Sequence, residues 1–156
     1  MNSSDRLANL RDKGILAPYE TADLNEIKVH MDAAKGYLAD AQNKTNSNLT
    51  RFMVAYSAGH SFLTAALKMA GYRTTSDKGH RALLYDILDA LLPGAAGAKE
   101  TLSRAHIARN RADYEGELFD PTEGLIDDLV DAVKDVEEEA NFNYKKFKAA
   151  RQSQKN

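Results

Sequence analysis

Apolar residues return every three or four positions along most of the chain, separated by short polar breaks, which is the pattern of amphipathic helices packed together. A capping Ser4, then Leu7 and Leu10, then Gly14 predict a short first helix. Ile15, Leu16 and Pro18 read as a linker packed on the body. Asp23 and Glu26 suit a capping box ahead of Leu24, Ile27, Met31, Ala34, Leu38 and Ala41, a narrow stripe on a second helix. The run NKTNSN at 43–48 is a loop. From Leu49 to Ala70 the third helix keeps little polar face (Phe52, Met53, Val54, Tyr56, Phe62, Leu63 and Leu67), so it is expected at the centre, ended by Gly71. Ser76 or Asp77 opens a fourth helix with Leu83, Leu84, Ile87, Leu88 and Leu91, stopped at Pro93-Gly94. A fifth helix carries Leu102, Ala105, Ile107 and Ala108. The sixth starts with Asp120 as cap, Pro121 at its first position and Glu123 behind, and carries Leu125, Leu129, Val133, Val136 and Ala140. No segment sustains an alternation of period two, so strands are not expected. The predicted fold is all-α, an antiparallel bundle of four to five main helices. Residues 1–22 form a short N-terminal helix and linker, 23–150 the bundle, and 151–156 a basic C-terminal tail.

The 156 residues suffice for one domain with a core, and 43% hydrophobic with 28% charged residues excludes wholesale disorder. A net charge of -2 offers no global attraction for nucleic acid, so any such binding must come from a local patch. Without cysteine there is no disulfide, thiolate metal site or cysteine nucleophile, which suits a reducing cytoplasm. The opening MNSSDRLANL carries no signal-peptide pattern, and the most apolar stretch is interrupted by His60, Thr64 and Lys68, so no membrane association is expected.

The candidate chemistry gathers at the end of the fifth helix. Arg109, Asn110, Arg111, Asp113 and Tyr114 fall within about one and a half turns, and all but Arg111 stand three or four apart, on one face. Such a cluster is either a site or a network of ion pairs. Because Arg109 precedes Asp113, the weaker order for a helical pair, a partner for Arg109 on another helix is expected. Among the histidines, His60 reads as a packed residue, His30 and His106 have no partner pattern, and His80 opens the fourth helix, where it reads equally as an anion-binding residue or as a capping or surface one. No carboxylate or histidine spacing resembles a metal site, so neither metal nor cofactor is expected.

The segments AYSAGHSFLTAALKMAGYR, GHRALLYDIL and ARNRADYEG, in this order, resemble HEPN domains (higher eukaryotes and prokaryotes nucleotide-binding), over roughly Asp23 to Phe147. The likeness is strongest to a bacterial branch in which Arg-Asn leads into Asp-Tyr. The resemblance implies a helical bundle, a homodimer, and in many members a metal-independent RNase site made by an Arg followed four to six residues later by His. It also implies a toxin–antitoxin or phage-defence setting, with a nucleotidyltransferase-type antitoxin as partner. Arg109 matches the motif arginine and Asn110 the residue after it, whereas Tyr114 stands where the RNase motif has histidine.

That departure changes the chemistry. A phenol, with an ordinary pKa of about 10, is a poor base at neutral pH. Arg109 can still stabilise a phosphorane-like charge, Asn110 can hold a phosphate and Tyr114 can donate a hydrogen bond. The expected site is therefore Arg109, Asn110 and Tyr114 for catalysis, with Arg111, Asp113 and His80 binding nucleotide or RNA. The alternative expectation is a non-catalytic helical protein-interaction module. Toward the C-terminus, acids from Asp127 to Glu139 give way to Lys145, Lys146, Lys148, Arg151 and Lys155, the polarity of a solvated helix that complements its dipole.

Overall fold

A computed structural model describes residues 2–75, 80–114, 116 and 118–154, with the side chains of His80 and Tyr114 outside the description. Its elements in chain order are α1 (Ser3–Asp12), β1 (Leu16–Pro18), α2 (Leu24–Gln42), α3 (Asn48–Met69), β2 (Tyr72–Thr74), α4 (His80–Asp86), α5 (Leu88–Leu91), a 3-10 turn (Pro93–Ala98), α6 (Lys99–Tyr114) and α7 (Glu123–Gln154). The fold is a mostly all-α helical bundle. Among the described residues no helix is long and apolar enough to cross a membrane.

The core lies where α2 and α7 cover α3. Ile27, Met31, Ala34, Leu38 and Ala41 of α2 are all buried, the whole expected stripe except Leu24. Phe52, Tyr56, Phe62 and Leu63 of α3 are fully buried, each contributing about 1.5–3 kcal/mol of transfer free energy. From α7 come Ile126, Leu129, Val133, Val136 and Ala140. Gly59 brings α3 close to its neighbours, for a Cβ there would stand 3.0 Å from Leu102 of α6 and 3.5 Å from Val133 of α7.

Several sequence expectations change. The linker after Gly14 is β1, paired antiparallel with β2 so that Leu16 opposes Thr74 and Pro18 opposes Tyr72. With three residues a side, neither strand is long enough to display an alternation. Gly14 and Gly71, at φ of 74° and 90°, turn the chain out of α1 and α3 into these strands. Asn2, not Ser4, caps α1, its side chain accepting from the Asp5 amide. The single helix expected up to Leu91 is divided at Ile87 into α4 and α5, and its expected start at 76 or 77 lies outside the described residues. Asp120 does not cap α7. Thr122 does, its hydroxyl accepting from the Leu125 amide at 3.1 Å. Asp23 caps α2 through the Glu26 amide at 2.7 Å, but the Glu26 carboxylate leaves the box for partners on other elements.

Two contacts fix the segment between α6 and α7 onto α3. Phe119 meets Phe52 edge-on at a centroid separation of 4.7 Å, and Asn48 Nδ2 donates to the Pro121 carbonyl at 3.2 Å. This loop forms one wall of the cavity beside Arg109. At the same end of α3 the buried Arg51 donates from Nε to the Ala41 carbonyl at 2.8 Å, a cation placed on the C-terminal carbonyls of α2.

Candidate functional site: a tyrosine between two arginines

Leu102 and Ala105 bury one edge of α6 against the core, and that docking carries its polar last turns across α3. Ile107, expected on the buried edge, is instead half exposed. Arg109 finds the partner on another helix that its sequence order called for. Its guanidinium carbon lies 5.3 Å from the centroid of the Tyr56 ring, a cation–π contact with a fully buried aromatic of α3. It also keeps the pair within its own helix, with Nε 3.1 Å from Asp113 Oδ2. The carboxylate lies off the line of the N–H, and this buried Nε makes no hydrogen bond among the described residues.

Asn110 does not join Arg109 and Asp113. It turns back one helical turn, where its Nδ2 lies 3.0 Å from His106 Nε2. Arg111 is exposed, outside the group around Tyr56. The backbone of Tyr114 ends α6 and that of His80 begins α4, and the roles expected of both side chains fall outside the described residues.

Four residues absent from the expected site complete it: Tyr56, Arg81, Tyr85 and His106. Arg81 places a second guanidinium 5.6 Å from the Tyr56 centroid. Tyr85, one turn along α4, packs its ring 5.8 Å from Tyr56 and 5.4 Å from His106. Burial, reinforced by Tyr56, pushes the Tyr85 phenol well above its ordinary range, so it stays neutral. The signal was present in the spacing, since Arg81 and Tyr85 stand four apart, as do His106 and Asn110.

The two hydrogen bonds of His106 determine its tautomer. The Asn110 amide nitrogen donates to Nε2, so the proton of the neutral ring sits on Nδ1 and is donated to Tyr56 Oη at 2.9 Å. The charged ring would set an N–H against the Asn110 donor. Burial, then Arg109 and Arg81, lower the His106 pKa from the ordinary 6.5, so the ring is neutral at pH 7.

Arg109 and Asp113 also stand in the wall of a cavity of about 400 Å³, whose remaining lining is mainly apolar: Leu49, Met53, Ala112 and Phe119. An apolar cavity with a few convergent polar groups is the usual form of a small-molecule site, and here the polar groups are the Arg109–Asp113 ion pair. Among the described residues no group of three or more histidines and carboxylates is placed to hold a metal ion.

A second polar group, also unforeseen, lies further along α3. Lys68 Nζ donates to Glu26 Oε1 at 2.7 Å and to His30 Nε2 at 2.9 Å, while the Tyr19 hydroxyl donates to Glu26 at 2.8 Å. The hydrogen bond from Lys68 holds Glu26 below the usual carboxylate range. Burial, then Lys68, hold His30 below the usual histidine range.

Fold and site together define a helical bundle with an arginine-walled cavity. Comparison of the chain with protein-family models, with curated proteins and with solved structures gives no match.

Proposed function

We propose that the chain is a HEPN-like protein that binds RNA or a nucleotide, in a system of the toxin–antitoxin or phage-defence type. The observation that carries this reading is the position of Arg109, half-buried on the Tyr56 ring and in the wall of the apolar cavity. A phosphate takes charge-assisted hydrogen bonds from guanidinium groups, and Arg81 brings a second one to the same ring. A base suits the cavity, where Phe119 and Met53 offer apolar surface. Homodimerisation and a nucleotidyltransferase-type antitoxin belong to the same proposal and rest on the likeness carried by ARNRADYEG.

Binding is favoured over cleavage. A general base needs a free lone pair, and both nitrogens of His106, the histidine beside Arg109, are engaged with Tyr56 and Asn110. A metal-independent endoribonuclease with Arg109, Asn110 and Tyr114 at its centre would therefore need His80 or Tyr114 to move the proton. The test is fluorescence anisotropy with a labelled hexaribonucleotide, alongside a gel assay for its cleavage, on wild type and Arg109→Ala. Retained helicity by circular dichroism shows that the variant folds. Wild-type binding that weakens at least about tenfold in the folded variant supports the proposal, since hydrogen bonds to charged groups are worth about 1.5–3 kcal/mol. Cleavage lost in the same variant moves the reading to the nuclease, and binding indifferent to the change overturns it.

A further inference from the structure

Gly71 turns the chain out of α3 into β2, and this short strand brings Arg73 and Thr74 back beside Thr64 and Lys68 of the helix. With Leu67 of α3 and Leu84 of α4 they line a cavity of about 230 Å³, which shares no lining residue with the one beside Arg109. Among the described residues of this lining there is no carboxylate. Lys68 is largely buried and gives two of its three N–H groups to Glu26 Oε1 and His30 Nε2, so one is left for the cavity. Glu26 offsets the Lys68 charge from outside the lining. Arg73 has no such offset, for among the described residues its hydrogen bonding is a single 3.3 Å contact to the neighbouring Thr74 carbonyl. Thr64 gives its hydroxyl proton to the His60 carbonyl, so toward a ligand its oxygen acts as an acceptor.

A guanidinium fork beside an ammonium N–H is a donor set for a tetrahedral oxyanion, whose several oxygens meet both cations at once. A planar carboxylate is already served by the fork alone. The acceptor at Thr64 suits a ligand hydroxyl, and Leu67 with Leu84 suits its carbon skeleton. We propose that this cavity binds a phosphate monoester of a small polyol. The phosphate sits on Arg73 and the remaining N–H of Lys68, a hydroxyl donates to Thr64, and the carbons lie on the two leucines. The site is separate from Arg109 and does not rest on the RNA-binding reading.

The measurement is an NMR titration of the isotope-labelled protein with glycerol phosphate, inorganic phosphate, succinate and glycerol. It is made on wild type, Arg73→Ala, Thr64→Val and Arg109→Ala, and the amide spectrum itself shows that each variant folds. Glycerol phosphate should give saturable shifts at Thr64, Arg73 and the His60 imidazole, all in the lining. Affinity should fall at least about tenfold in Arg73→Ala and stay unchanged in Arg109→Ala. Inorganic phosphate should bind at least about threefold more weakly, and Thr64→Val should erase that preference. Binding indifferent to Arg73→Ala, or lost in Arg109→Ala, overturns the site. Succinate binding as tightly overturns the phosphate assignment, and inorganic phosphate or glycerol binding as tightly overturns the monoester. Absence of saturable shifts up to about 10 mM overturns the proposal and leaves the RNA-binding reading standing.

Discussion

The imidazole of His106 and the ring of Tyr56 lie nearly parallel, 11° apart with centroids separated by 6.1 Å, and are joined from Nδ1 to Oη at 2.9 Å. The buried phenol thereby holds the histidine tautomer whose Nε2 accepts from Asn110. Tyr56 also carries both arginines on its ring, so one residue of α3 orders four polar side chains on two other helices.

Tyr56→Phe separates these two duties. The ring remains for Arg109 and Arg81, while the His106 proton on Nδ1 loses its acceptor. Urea denaturation should show a loss of about 1–2 kcal/mol, and RNA affinity should fall much less than in Arg109→Ala. A loss of affinity as large as that of Arg109→Ala would show that the hydroxyl, not the guanidinium, is the binding element.

The depressed pKa of His106 makes stability depend on pH in a definite direction. The folded ring binds its proton less readily than the unfolded one, whose value is near 6.5, so the stabilisation is fully present above that value. It is lost progressively as pH falls below 6.5 toward the folded value, and His30 adds a contribution of the same sign. Urea midpoints at about pH 7.5 and about pH 5.5 should differ in wild type and differ less in His106→Asn. An equal difference in both proteins would assign the whole effect elsewhere.

Lys68→Met tests the second polar group. With the ammonium gone, His30 keeps the attraction of Glu26 and loses a repelling cation, so its pKa should rise toward the ordinary value. The Glu26 pKa should rise too, as its largest stabilising hydrogen bond is removed. Titration of the imidazole protons by NMR reads the first change directly. A His30 value that stays put would mean that burial alone sets it.

Gly59→Leu should destabilise the bundle by about 2 kcal/mol or more, since even a Cβ there meets Leu102 at 3.0 Å and Val133 at 3.5 Å. Thermal unfolding measures the loss. A variant as stable as wild type would show that α6 and α7 can move away from α3 without cost.

Much of the fold is legible in the sequence because a helix writes its own period. The stripes of α2 and α7 and the nearly continuous apolar surface of α3 mark the three elements that make the core, and Asp23 marks the start of α2 and Gly71 the end of α3 through local hydrogen bonding and φ. Local pattern could not place the boundary at Ile87, where the helix is divided although the apolar positions keep their helical spacing across it. Nor could it reveal β1 and β2, which pair across some 55 residues.

The order of Arg109 and Asp113 in the sequence, the weaker one for a helical pair, points to a further partner for Arg109 elsewhere. Only the tertiary structure decided that this partner is the Tyr56 ring, that Asn110 turns to His106, and that Arg81 joins them. His106 and Tyr56 are 50 residues apart, and Lys68 and His30 are 38 apart. Their hydrogen bonds depend on how whole helices cross, a property of summed core packing that no short stretch of sequence contains.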